Sequence, residues 1–407
     1  MTDQLLELAP AVEQYIEQHL HDPAGIMYAY IDVRTNRPFD RDAITTRHVP
    51  VRAHFDPWSY WTYEDSICTM GLYIDGLVRK FEATGERACL ERAHKLWLVI
   101  RNIYACSQVY GIGSFLRPYG GYLTMGAFAE PLGTDQASPL FSGLYLYSKH
   151  ADAETRAQIT EMMVQTLSWY EQQGFRYFYY KAFIHPWDAG LQHAASYYLP
   201  AIAWAAKVTE DRKWLDHLRD KLVLFQDPRY QIYRRGQGSF CWGSDLTMLK
   251  DLLGEEFEQH FPRSLLDSAF QSCLEELKKY TEPGMTCYQH AEAKQPGFKP
   301  HVLPIEPPYA RDGGMGFPEF YTVHQGRARP RHETHLMCAL AALGYPGALE
   351  RVRELLGMYQ RVPQDFTNIV ADDIEQMPDT ILAARSVGVF LTEWFRNYWL
   401  MRSVVQT

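Results

Sequence analysis

The chain has 407 residues, of which 46% are hydrophobic and 22% are charged, and this balance is typical of a globular protein. Its formal net charge of −9 disfavours nucleic acid and anionic membrane surfaces as partners. The seven cysteines lie far apart without a CxxC pair, which argues against a disulfide framework or a zinc cluster and favours a reducing compartment.

The beginning of the sequence, MTDQLLELAPAVEQYIEQHL, contains early acids but neither a basic segment nor a long apolar run. We therefore expect no signal peptide and no membrane span, and we predict a cytoplasmic protein. No segment has the composition of a linker, so we expect one domain over residues 1–407. The sequence does not predict an oligomeric state.

Hydrophobic periodicity predicts helices along almost the whole chain, with few β-branched runs that would indicate strands. Tight turns rich in Gly, Pro, Asp or Glu join neighbouring helices into antiparallel hairpins. The predicted helices are Leu5–Leu20, Asp65–Ala83, Arg87–Tyr110, Gln136–His150, Ala153–Gln173, Ala189–Val208, Asp211–Phe225, Ser244–Leu253, Ser264–Tyr280, Glu333–Leu343, Gly347–Gln360 and Thr380–Met401.

The two helices of each predicted hairpin differ in composition. First helices such as Ala189–Val208 carry little charge and much Ala, whereas second helices such as Asp211–Phe225 are charged and amphipathic. A helix that is apolar around most of its circumference must be buried on most sides. The alternation therefore predicts an inner and an outer layer, and an all-α (α/α)6 toroid. A linear solenoid of hairpins is the alternative, although no motif recurs at a fixed period.

Long connections precede the N-termini of the predicted inner helices, and loops of this length are usually functional. Acidic residues cluster there, which predicts a site at this face of the toroid. Because every helix N-terminus favours an acid, we expect about half of these acids to be simple caps. The candidates are Glu64 with Asp65, Asp135 with Gln136, Trp187 with Asp188, Ser244 with Asp245, His332 with Glu333, and Asp379.

Arginines in Gly-rich segments accompany these acids, namely Arg117, Arg235, Arg311, Arg327, Arg329 and Arg331. Because guanidinium binds a carboxylate through two parallel hydrogen bonds, they predict an anionic sugar as substrate. Pairing of each arginine with a nearby acid of the protein is the alternative interpretation.

Aromatic residues make up 14% of the sequence, and surplus Trp and Tyr often line clefts that bind sugar rings, although ordinary packing explains them equally well. Among the candidates for stacking are Tyr119 and Trp242. His332 and His335 lie one turn apart, but HETH is not the HExxH motif and no third ligand follows at a diagnostic spacing, so we predict no metal. The glycines around Ile112 follow no predicted strand, so we also predict no cofactor.

Four segments resemble the six-hairpin glycosidase superfamily, and within it the unsaturated glucuronyl hydrolases and related uronic-acid-releasing enzymes. EDSICTMGLYIDGLVRKFEATGER is similar to an early inner helix with its turn, while GTDQASPLFSGLYLYSKHAD and HPWDAGLQHAASYY are similar to the segments that present the catalytic acids. The resemblance implies an (α/α)6 toroid and places the two essential aspartates at Asp135 and Asp188. RRGQGSFCW is similar to an RGQ-containing segment of the family, with its aromatics displaced to Phe240 and Trp242.

We therefore predict a glycoside hydrolase that releases a uronic acid, or an unsaturated uronic acid, from an oligosaccharide. Asp188 is the predicted general acid and Asp135 its partner carboxylate. The other predicted site residues bind the sugar: Glu64, Arg117, Tyr119, Gln136, His185, Trp187, His193, Arg235, Trp242, Arg311, His332 and His335.

Three alternatives stay open at this stage. The first is an oligosaccharide lyase on the same toroid, with Tyr or His as the base beside an arginine. The second is a sugar 2-epimerase, in which His193 and His335 act from opposite sides of the sugar. The third is a non-catalytic helical scaffold, in which the acids would be dispersed caps.

Overall fold

The computed structural model describes residues 3–43, 57–122, 131–179, 183–186, 192–226, 237–281, 330–366 and 387–406. The helices are α1 (Asp3–His19), α2 (Pro57–Tyr63), α3 (Ser66–Thr84), α4 (Arg87–Val109), α5 (Thr134–His150), α6 (Ala153–Gln172), α7 (Gln192–Thr209), α8 (Arg212–Leu222), α9 (Gln237–Leu253), α10 (Phe257–His260), α11 (Arg263–Thr281), α12 (His332–Ala342), α13 (Ala348–Leu356) and α14 (Val387–Gln406).

Six of the described helices form a closed inner ring. In order around the ring, α3 packs on α5, α5 on α7, α7 on α9, α9 on α12, α12 on α14, and α14 returns to α3. Their low charge allows burial on several sides: the described side chains of α12 between His332 and Ala341 are all buried. The ring confirms the prediction of an all-α (α/α)6 toroid rather than a linear solenoid.

The charged helices form the outer layer. Helix α4 packs against α3 and α5, α6 against α5 and α7, α8 against α7, α11 against α12, α13 against α12 and α14, and α1 against α14. Over the described parts of the chain, no helix is both long and apolar enough to cross a membrane.

Glycine allows the inner helices α3 and α5 to approach closely. A Cβ atom at Gly143 would lie 2.3 Å from the carbonyl oxygen of Gly71, and a Cβ atom at Gly71 would lie 2.6 Å from the backbone nitrogen of Leu140. Both distances are shorter than van der Waals contact, so a larger residue at either position would separate the helices.

A buried polar network links five inner helices. Asp75 of α3 accepts a hydrogen bond from Ser142 of α5 (3.0 Å) and pairs with the Arg396 guanidinium of α14 (3.4 Å). Arg396 in turn donates to Asn397 Oδ1 at 3.0 Å. Asn397 contacts His335 Nδ1 of α12 at 3.0 Å, and His335 Nε2 contacts the hydroxyl of Ser244 in α9 at 2.9 Å. Because buried polar groups need partners, this network fixes how the inner helices sit against one another.

The described helices differ most from the prediction in three places. Helix α9 begins at Gln237, seven residues before the predicted start at Ser244, because a Gly-rich segment that predicts a loop continues the helix. Ser244 and Asp245 therefore lie two turns inside the ring and not at its mouth, and the prediction of a mouth acid at Asp245 is wrong. Helix α13 ends at Leu356, and α2 lies within a segment predicted to be a loop.

The segment before α7 contains a hairpin that the sequence did not predict. Strands β1 (Arg176–Tyr179) and β2 (Phe183–Pro186) pair antiparallel, with Tyr177 opposite His185. The hairpin is short and is the only two-stranded sheet in the described residues.

Candidate active site

The N-terminal end of α3 carries an acid that does not cap its helix. Asp65 occupies the N-cap position, yet its side chain makes no capping hydrogen bond. Its carboxylate instead accepts hydrogen bonds from the Tyr30 hydroxyl at 2.8 Å and from the Gln136 amide at 3.1 Å. Gln136 also donates to the carbonyl oxygen of Glu64 at 2.6 Å. The N-termini of α3 and α5 are thus joined through side chains, and the Asp65 carboxylate is oriented by these bonds rather than by a cap.

Burial and the neighbouring acids raise the pKa of Asp65. Removal from water and the negative charges of Glu64 and Asp135 together raise the pKa of Asp65 to about 6, against the opposing effects of the Arg117 guanidinium and the Tyr30 hydrogen bond. Burial also raises the pKa of Asp135, with Arg117 opposing. A carboxyl whose pKa is raised towards neutrality beside other carboxylates is a common feature of acid–base catalytic sites.

Arg117 lies within this acidic cluster and is 2% exposed. Its guanidinium pairs with Glu64 (3.5 Å) and donates to the Tyr119 hydroxyl (3.3 Å). Gly133, just before α5, leaves room for both Arg117 and Asp135, since a Cβ atom there would come within 2.6 Å of Arg117 Nη2 and 2.5 Å of Asp135 Oδ1. Arg117 therefore neutralises the acids from within the protein, and Tyr119, which is fully buried, supports it.

A second charged group lies at the N-terminus of α12. The Nε of Arg331 donates to Glu393 Oε2 of α14, and the guanidinium lies over the rings of Phe240 (5.0 Å to the centroid) and Phe390 (4.7 Å). Burial raises the pKa of Glu393 to about 7, against the opposing effect of Arg331.

The two groups belong to one site. Arg331 interacts electrostatically with Asp65 and with Asp135. The thiol of Cys68, in the first turn of α3, interacts electrostatically with all four charged groups, namely Asp65, Asp135, Arg331 and Glu393. Inner helices α3, α5, α12 and α14 thus bring their ionisable side chains to one end of the ring, as the sequence predicts for this face.

Two histidines of α12 lie deeper beside this site. His335 is fully buried, with one ring nitrogen near Ser244 and the other near Asn397, and it stacks on Phe240 at 5.1 Å. His332 is also buried, and its ring lies 5.8 Å from that of Phe240. Burial lowers the pKa of both histidines well below the usual value, and nearby arginines lower it further. Both are neutral at pH 7.

Trp242 does not reach this site. It is fully buried, and its ring packs against Phe225 at 5.3 Å and Phe261 at 5.9 Å between ring centroids. Because its ring is enclosed by the core, we do not include it among the sugar-binding residues.

Several predicted residues lie outside the described part of the chain. Trp187, Asp188, Arg235 and Arg311 are among them. His185 lies in β2 and His193 in the first turn of α7, but their side chains are outside the described structure. Of the predicted residues, the structure brings together Glu64, Arg117, Tyr119, Asp135 and Gln136 directly, with His332 and His335 beside Arg331.

Sequence reasoning missed three contributors to the site. Tyr30 lies in a segment without a distinctive pattern, so nothing in the sequence marked it. Glu393 had a usable signal, because it and Arg396 are the only charges in the otherwise apolar VGVFLTEWFRNYWLM. Phe240 was noted only as a displaced aromatic. Within the described residues, no three His, Cys, Asp or Glu side chains are grouped so that they could hold a metal ion.

The fold is similar to that of a solved structure. No protein-family model matches the sequence, and no curated protein matches it. A solved structure described as a sugar epimerase from a ruminal bacterium aligns over 98% of this chain and 99% of its own, with a TM-score of 0.51 and 11% sequence identity. At this identity the similarity shows that the fold is common to both chains.

Proposed function

We propose that the protein is a glycoside hydrolase that acts on an oligosaccharide containing a uronic acid, at the end of the ring formed by α3, α5, α12 and α14. The observation that carries the proposal is the convergence of Asp65 and Asp135 there, with Asp65 holding its proton up to about pH 6. Hydrolysis of a glycosidic bond needs a protonated acid at the leaving oxygen and a carboxylate that activates water or attacks the sugar.

The roles follow from the chemistry of each group. Asp135 is the proposed carboxylate that acts on water or on the anomeric carbon. Asp188, whose assignment rests on the resemblance of its segment to known hydrolases, is the proposed general acid, and Asp65 is a second group that can carry the proton. Gln136 and Tyr30 orient Asp65 through their hydrogen bonds.

A sugar epimerase is the second candidate, and the structural similarity to a sugar epimerase favours it. Epimerisation next to a carbonyl needs a base on one face of the sugar and an acid on the other. His335 suits this role poorly, because both of its ring nitrogens already have partners within the protein. The role would therefore fall to His332 or His193.

The products distinguish these reactions. The protein is incubated with an aryl glucuronide, with an unsaturated uronyl disaccharide and with the matching neutral glucoside, and released sugar is measured. We expect release from the uronides. A saturated oligosaccharide with a uronic acid substituted at O4 tests for a lyase, because elimination of that substituent would give a new product that absorbs in the near ultraviolet. Exchange of a sugar C2 proton with deuterated solvent, without bond cleavage, would indicate an epimerase.

The acid is identified with two variants. Asp188→Asn and Asp65→Asn each keep the size of the side chain and remove its proton. The variant that loses turnover while retaining its melting temperature identifies the general acid. Normal turnover in both variants would refute the carboxylate mechanism.

A further inference from the structure

Among the arginines predicted to bind a sugar acid, the two described ones have different surroundings. Arg117 is 2% exposed and is occupied by Glu64 and Tyr119. Arg331 keeps 18% of its side chain exposed. Arg331 is therefore the more accessible of the two arginines to a carboxylate from solvent.

The contacts of Arg331 hold the guanidinium by one edge. Its Nε is bonded to Glu393, and its planar group lies over two phenylalanine rings, Phe240 and Phe390. Within the described structure, neither Nη1 nor Nη2 donates a hydrogen bond. The edge opposite Glu393 carries two parallel N–H groups, which is the geometry that binds a carboxylate through both of its oxygens.

Arg331 lies close enough to the catalytic acids to bind a carboxylate of the sugar on which they act. It lies within the electrostatic range of Asp65 and Asp135. On a uronic acid ring, the carboxylate is attached at C5, which is bonded through the ring oxygen to the anomeric carbon. A group that binds this carboxylate must therefore lie near the catalytic acids.

We propose that Arg331 binds the carboxylate of the uronic acid through its two Nη groups, with Glu393 fixing the orientation of the guanidinium. This assignment rests on the proposed function and specifies its substrate recognition.

Kinetics on matched substrates test the assignment. In Arg331→Lys the charge remains but the planar pair of donors is lost. We expect kcat/KM for an aryl glucuronide to fall by about tenfold to a hundredfold, and kcat/KM for the matching glucoside to change by less than about threefold. Arg212→Lys, on the outer helix α8 with its side chain 93% exposed, is the control and should change neither rate. Equal loss on both sugars would overturn the assignment.

A second measurement uses the unaltered protein and does not require turnover. Phenylglyoxal modifies accessible arginines, and peptide mapping locates the modified positions. Sodium glucuronate should protect Arg331 from modification, and glucose at the same concentration should not. Modification of Arg331 at equal rates with both sugars would overturn the assignment. Protection without cleavage of any glycoside would support the assignment and refute the proposed hydrolysis.

Discussion

Gly243 of α9 lies directly against His335 of α12: a Cβ atom at Gly243 would come within 2.2 Å of His335 Cδ2 and 2.8 Å of the His335 carbonyl carbon. The imidazole of His335 in α12 therefore packs directly against the backbone of α9. Since His335 bonds Ser244 and Asn397 from this position, the close approach also sets the buried polar network.

Gly243→Ala tests this contact. The added methyl group has no space, and we expect the free energy of unfolding to fall by roughly 1–3 kcal/mol, the usual cost of overpacking. Urea denaturation followed by circular dichroism measures the change. Gly357→Ala is a suitable comparison, because Gly357 has helical backbone angles and its nearest atoms lie at 3.2 Å or more. An equal effect at both positions would contradict the importance of the Gly243 contact.

Asp135→Asn separates a catalytic acid from a capping acid. We expect kcat on the uronide to fall by about a hundredfold to ten-thousandfold, because the proton chemistry is lost, with little change in melting temperature. Asp152 provides the opposite case, since it caps α6 by accepting from the Thr155 backbone N–H at 2.8 Å. Asp152→Ala should cost about 1 kcal/mol of stability and leave kcat unchanged. Near-normal kcat in Asp135→Asn would mean that Asp135, like Asp152, has only a structural role.

Glu393→Gln tests the pH dependence of stability. Burial raises the pKa of Glu393 in the folded protein to about 7, from 4.5 in an unfolded chain. The folded protein therefore holds this proton more tightly, so the stabilisation is complete below pH 4.5 and is lost as pH rises through 7. The loss amounts to about 3 kcal/mol.

In Glu393→Gln this contribution disappears, so the free energy of unfolding should depend less steeply on pH between 5 and 7. Denaturation at several pH values measures the slope. Glu354→Gln, at an exposed position of α13, should leave the slope unchanged. A slope in Glu393→Gln as steep as in the parent protein would exclude Glu393 as the titrating group.

Asp75→Ala removes the carboxylate that faces two buried arginines, Arg79 and Arg396. Because Arg396 is fully buried, it would keep its charge without the acid of α3, and we expect a loss of about 3–5 kcal/mol in the free energy of unfolding. Asp216→Ala, which breaks exposed pairs on α8, should cost no more than about 1 kcal/mol. Similar losses in the two variants, measured by urea denaturation, would argue against a structural role for the buried pair.

The alternation of composition made the fold predictable. Low-charge helices such as α3 and α12 can be stable only inside, and charged helices such as α4 and α13 only outside, so two layers follow from burial alone. The start of α9 could not be predicted, because glycine normally opposes a helix. At Gly243 the close contact with His335 outweighs that preference, and this contact joins residues of different hairpins.

The candidate site was predictable as a location but not residue by residue. The sequence places Asp65 at a helix N-terminus, where capping is the ordinary role. Its actual partner Tyr30 lies 35 residues earlier, beyond any local pattern. The pairing of Arg331 with Glu393 spans 62 residues and follows only from the closure of the ring. Arg117 had the expected chemistry, but its burial beside Glu64 could not be inferred from the loop in which it lies.

Closure of the ring by α14 against α3 also has a consequence for how the chain folds. These two helices are separated by most of the sequence, so their contact forms only after a large loss of chain entropy. Until then, α3 and α14 each expose an apolar flank that another molecule can cover. We therefore expect folding to be slow and its yield to fall as protein concentration rises, because association of open rings competes with their closure.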